Sequence, residues 1–201
     1  RGTADYLGVQ NNVDAYFGTF AKSFASIGGF TATTKAARDW ISYNARTQVF
    51  AKSLPMVYIK TLDRTLDLVV EADDRRDAMW RNSGALKEAL RGLGYYIGGG
   101  ESPICSVFAP ISGGDPEKIG MQLVSYLRQA GIFVTGITYP VIPVGLMMFR
   151  MIPTANHTQD DIDRTVEVFR RMRDEMKLEL QMDAEDQSKL ERIYGKRPIA
   201  V

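Results

Sequence analysis

Residues 18–30, GTFAKSFASIGGF, set one lysine, Lys22, among small and apolar residues. Lysine is among the residues least often fully buried, and an unpaired charge inside a protein is costly. Two readings of Lys22 compete. In one, the side chain buries its methylenes and leaves the ammonium in water. In the other it is a reactive amine, its pKa lowered by the surroundings so that it forms a Schiff base. For a bare lysine the first is the default. The flanking sequence decides whether it stays so.

Upstream, 13–17 (VDAYF) is a short β-prone run that Gly18-Thr19 is expected to break. Downstream, Gly28-Gly29 precede 30–33, a second strand candidate. Lys22 therefore lies in a loop or short turn between two strands, where a rigid framework commonly carries chemistry.

Further along, 35–46 reads as a helix, and after Leu54-Pro55 a longer helical region runs to about residue 93 with an interruption near 72–74. Gly92 and Gly94 end it, and Gly98-Gly99-Gly100 form a turn. These glycines are no dinucleotide loop: they miss the G-x-G-x-x-G spacing by one and follow a helix instead of a strand. Strand candidates follow at 104–109, 132–138 and 146–152. Between the first two, Asp115-Pro116 is an N-cap and first-turn proline for a helix that ends at Gly131. Thr158 with Asp161 three residues on starts a last long helix. Its stripe of Ile162, Val166, Phe169, Met172 and Met176 has helical spacing and reads as core. The expected units are 1–55, connecting helices over 56–100, a small α/β layer over 101–180, and a polar tail over 181–201.

The chain has 201 residues, 45% hydrophobic and 24% charged, with a net charge of +1. That is enough for a real core, and it gives no reason to expect nucleic acid or an anionic membrane as partner. The single cysteine, Cys105, excludes an internal disulfide framework and fits a cytoplasmic setting. No apolar run approaches membrane-spanning length, and no signal peptide is visible. One histidine and one cysteine do not make a metal site. Because Arg1 is not a start methionine, the expectation is the later part of a longer chain.

Three segments together resemble the α-oxoamine synthases, pyridoxal-phosphate enzymes of the aspartate-aminotransferase fold. The first is Gly18-Thr19-Phe20-Ala21-Lys22 with Gly28-Gly29, similar to the family's T-x-x-K-x-x-x-x-x-G-G. The second runs from Asn44-Ala45-Arg46 through Phe50 to Leu54-Pro55. The third runs from Pro140 through Pro143, Gly145 and Phe149-Arg150 to Ala155, His157-Thr158 and Asp163. Their order and spacing match the family over roughly residues 1–176. The fold so implied is α/β: the end of a large-domain sheet, a helical connection and a small C-terminal domain.

The resemblance implies roles. Lys22 is similar to the lysine that carries pyridoxal 5′-phosphate as a Schiff base, and Thr19 to a ligand of the cofactor phosphate. Arg150 is similar to the arginine that binds the substrate carboxylate, as a guanidinium fork can and an ammonium cannot. Each has a structural alternative: a surface lysine, a turn threonine and a salt-bridged arginine. His157, before the helix cap, reads as structural. One departure stands out. At the segment that reaches across the family's dimer interface, Phe50-Ala51-Lys52-Ser53 replaces the usual Phe-Ser-Thr. Lys52 or Ser53 then stands in as phosphate ligand.

By the same resemblance, the chain is expected to condense an amino acid with an acyl-CoA, with decarboxylation, in a homodimer with a shared active site. Serine palmitoyltransferase-type members are the most similar, with serine as substrate and a product such as 3-ketosphinganine. Glycine C-acetyltransferase and aminooxononanoate synthase are the alternatives. Thr138, twelve residues before Arg150, replaces an arginine of some soluble bacterial forms and weighs against the serine reading. A catalytically silent partner subunit would have no need of Lys22.

Overall fold

The chain divides between Asp73 and Asp74 into two units. The computed structural model describes residues 2–51, 53–111 and 115–194.

The first unit opens with a short helix α1 (Thr3–Tyr6) and a 3-10 turn (Gln10–Asn12), followed by strands β1 (Ala15–Thr19) and β2 (Gly29–Thr33). The two strands pair antiparallel, with Ala15 opposite Thr33 and Thr19 opposite Gly29. β1 thus starts later than the sequence suggested and runs through Gly18 and Thr19, which were expected to end it. Packing explains the difference. A Cβ on Gly18 would lie 2.4 Å from the Phe30 ring, so this glycine makes room for an aromatic side chain instead of breaking the strand.

Helices α2 (Lys35–Asn44), α3 (Arg46–Phe50) and α4 (Met56–Val70) complete the unit. Thr34 caps α2, its hydroxyl accepting from the Ala37 amide at 3.4 Å. The helix expected over 35–46 is broken at Ala45, whose backbone is extended. Among the described residues of this unit only Leu62 is a buried apolar side chain. Phe17, Trp40, Tyr43 and Phe50 are exposed by 79, 66, 84 and 80%. Among the described residues this unit has no core of its own.

The second unit does. It comprises α5 (Asp73–Gly92), β3 (Tyr96–Ile97), β4 (Cys105–Pro110), α6 (Pro116–Gln129), β5 (Thr135–Ile137), β6 (Leu146–Met151), α7 (Gln159–Glu175) and α8 (Ala184–Tyr194). The strands form an antiparallel sheet in the order β3-β4-β6-β5. One face meets α5, α6 and α7 through Leu86, Leu90, Leu123, Leu127, Phe169 and Met172. The other face, with Tyr96, Phe108 and Met148, meets Leu190 of α8. Because β6 is central and covered on both sides, its run is apolar without alternation.

The helix signals work as the sequence indicates. Asp115 caps α6, and Thr158 with Asp161 forms a reciprocal capping box on α7. The strand expected over 132–138 shrinks to β5 because Ile132 is spent on the end of α6. Its amide donates to the Leu127 carbonyl at 2.8 Å, and that of Gly131, at φ 84°, donates to Arg128 at 3.0 Å. This αL cap leaves Ile132 outside the strand. No helix among the described residues is long and apolar enough to cross a membrane.

Phe169 is the hub of the core. Its ring meets Tyr95 edge-on at 5.4 Å and Phe149 at 5.6 Å, and its carbonyl accepts from the Tyr95 hydroxyl at 3.0 Å. Phe169→Ala should therefore cost about 3–5 kcal/mol, read by urea denaturation. A loss below about 1 kcal/mol would show that the core closes over the gap.

Candidate active site

Lys22 sits in the loop that joins β1 to β2. The Ala25 amide donates to the Lys22 carbonyl at 2.9 Å, Ser26 to Phe20 at 2.9 Å, and Phe20 to Gly28 at 3.0 Å. Ala25 takes a left-handed conformation, φ 47°, in this turn. Phe20 packs edge-on against Phe24 at 5.5 Å and beside Phe30 at 5.7 Å. The loop is thus pinned by aromatic packing and its own backbone bonds. The Lys22 side chain is exposed and has no ion pair among the described residues. The apolar neighbours that suggested a desolvated amine pack on one another instead of enclosing Lys22 within this chain.

Glycine makes the loop possible. A Cβ on Gly29 would lie 2.6 Å from the Gly18 carbonyl oxygen, a backbone atom that cannot swing aside. Gly28, at φ 85°, leaves room for Leu54, whose Cδ1 would be 2.9 Å from a Cβ there. That contact brings the second sequence segment beside the lysine loop.

Thr19 ends β1. Its hydroxyl accepts from the Ala21 amide at 3.2 Å and points at the Gly28 carbonyl at 3.4 Å, a long bond. Ser53 is exposed, and Lys52 lies outside the described residues. Ser26 was not anticipated: its Oγ is buried and has no hydrogen-bond partner among the described residues. Nothing in the sequence marked it, since one serine among small loop residues is unremarkable until its surroundings are seen.

In the second unit Arg150 is the one exposed residue of β6. It lies between Ser106 of β4 and Thr135 of β5. Among the described residues it has no acidic partner, so the salt-bridge alternative lacks its second half. The turn that follows is latched by Asn82, whose Nδ2 donates to the carbonyls of Thr154 at 2.9 Å and His157 at 2.8 Å. His157 Nδ1 accepts from the Thr154 amide at 2.9 Å, a structural use of that ring. Thr158 donors hold the Asp161 carboxyl below the usual range, which keeps the capping box charged. Asn82 was also not foreseen, being one polar residue on a polar helix.

The profile of the family "Aminotransferase class I and II" matches residues 1–169. This chain belongs to that family. The chain is 41% identical over 177 residues to a cysteate-C-fatty acyltransferase of Capnocytophaga ochracea, covering 88% of this chain and 41% of the relative. It is 33% identical to an 8-amino-7-oxononanoate synthase of Alkaliphilus oremlandii, covering 89% and 44%. A solved serine palmitoyltransferase of Sphingomonas wittichii superposes with a TM-score of 0.78 at 27% identity, over 88% of this chain and 44% of that one. The fold is therefore the α/β fold of this family, and the chain spans less than half the length of these relatives.

Gly29→Ala should break the close approach under the lysine loop. Amide protection at Phe20 and Ser26 should fall at least about tenfold in hydrogen-exchange NMR. Unchanged protection would mean the hairpin tolerates a side chain there.

Proposed function

We propose that this chain belongs to a pyridoxal-phosphate-dependent C-acyltransferase that joins an amino acid to a fatty acyl-CoA, releasing carbon dioxide and coenzyme A. The observation that carries the proposal is the lysine loop. Among the described residues, the amine has no counter-ion, and the hairpin it stands on has a buried Ser26 hydroxyl with no hydrogen-bond partner. Such a site fits a cofactor that bonds a lysine and brings its own oxygen acceptors.

In this reading Lys22 anchors the cofactor, and Thr19, Ser53 and Lys52 serve its phosphate. When bound, pyridoxal 5′-phosphate supplies an electron sink for negative charge at the substrate Cα. Lys22 Nζ would take the proton from that carbon and later return one. Arg150 orients the amino acid through a two-bond fork to its carboxylate, and its lack of an acidic partner among the described residues leaves that fork available. The exposed aromatic residues of α2 and α3 supply a surface for a second copy, in line with a homodimer.

Serine with a long-chain acyl-CoA is the favoured pair, supported by the similarity to serine palmitoyltransferases. Cysteate is the second reading, favoured by the 41% identity to a cysteate-C-fatty acyltransferase. The names of both relatives give a fatty acyl group as the group transferred, which favours a long-chain donor over a short one.

Two variants of the full-length protein test the proposal. Lys22→Ala should remove the visible absorption of lysine-bound cofactor and abolish turnover while the melting temperature holds. Turnover at the wild-type rate would sink the assignment. Arg150→Lys should weaken serine affinity on the order of tenfold to a hundredfold, the loss expected for a charge-assisted bond. Its stability should change little. A large drop in melting temperature with serine affinity intact would make Arg150 a scaffold residue.

A further inference from the structure

Lys87 and Arg91 stand four residues apart on α5, the spacing at which like charges on a helix repel. Both side chains are partly buried. The Lys87 ammonium donates to the Ser102 carbonyl oxygen, a neutral acceptor. Arg91 Nε is buried and has no hydrogen-bond partner among the described residues. Neither cation has an acidic partner among them. Burial holds the Lys87 ammonium below its usual range, with the Cys105 thiol opposing and Arg91 adding to the effect. The thiol offers no counter-charge, because its own burial pushes it up to about 12.

Two partly buried cations one helical turn apart are an unfavourable arrangement. Arg91 lies in the last turn of α5, where the helix dipole favours a positive charge. Lys87 is a turn further back, and its one acceptor among the described residues carries no charge. The imbalance is local and lies wholly within the second unit.

We propose that Lys87 and Arg91 form an anion site, outside the lysine loop, for a phosphate-type oxyanion held between the ammonium and the guanidinium. A phosphate oxyanion suits it because several oxygens receive a guanidinium and an ammonium at once. Such an oxyanion has two sources: free phosphate, or the phosphates of coenzyme A. The site does not depend on the assignment of Lys22.

The test uses the full-length protein saturated with pyridoxal phosphate, so that the phosphate site of the cofactor is filled. Inorganic phosphate and coenzyme A are titrated separately by calorimetry, with chloride holding the ionic strength constant. The Arg91 Nε–H resonance is followed by NMR. Phosphate should bind saturably and move that resonance. Arg91→Met and Lys87→Met, which keep an apolar stem, should each weaken phosphate binding on the order of tenfold to a hundredfold. Their melting temperatures in chloride alone should not fall, since a repulsion is removed. If one variant fails to fold, the other carries the comparison. Coenzyme A affinity falling in parallel identifies coenzyme A as the source, and coenzyme A affinity unchanged identifies free phosphate. Absence of saturable phosphate binding to the wild type, or equal affinity in the folded variants, overturns the proposal.

Discussion

The first unit depends on two backbones approaching where no side chain fits. Gly29 comes so near the Gly18 carbonyl that a Cβ would sit 2.6 Å from its oxygen. That approach closes the β1–β2 ladder, and the closed ladder fixes both ends of the loop bearing Lys22. Phe20 then clamps the loop from within by packing against Phe24 and Phe30. Lys22 is thus held through its backbone, and its side chain stays exposed. Gly28 extends the same logic by admitting Leu54, so the segment containing Ser53 is drawn toward the loop.

Arg150 is produced by a different constraint. β6 is a central strand with apolar cover on both faces, and five of its six residues are buried. An arginine in such a strand is tolerable only where the cover ends. Arg150 stands in line with Ser106 and Thr135, small polar residues that leave its guanidinium accessible. Asn82 latches the turn beyond it and so fixes the strand end from α5. The aromatic triad of Tyr95, Phe149 and Phe169 holds the sheet against α7.

What could be read from the residues alone is what local chemistry decides. Asp115-Pro116 and Thr158-x-x-Asp161 mark helix starts because capping needs only nearby atoms. The apolar period of α7 marks a core face for the same reason. The lysine motif could be read because its glycines are obligatory. Local reading failed where tertiary packing took over. Gly18 looked like a breaker until Phe30 filled its space. Ile132 looked like strand until it closed the end of α6. Ser26, Asn82 and the Lys87–Arg91 pair were hidden because a single polar residue shows no pattern. Their meaning lies in partners brought from elsewhere, or in partners that are absent among the described residues.

In the proposed function, Lys22 is the residue that bonds the cofactor. Its most direct test is borohydride reduction of the full-length protein loaded with pyridoxal phosphate, which fixes a lysine-bound cofactor irreversibly, followed by peptide mapping. One phosphopyridoxyl group per chain is expected, on the peptide containing Lys22. An adduct on another lysine, with Lys22 unmodified, would contradict it.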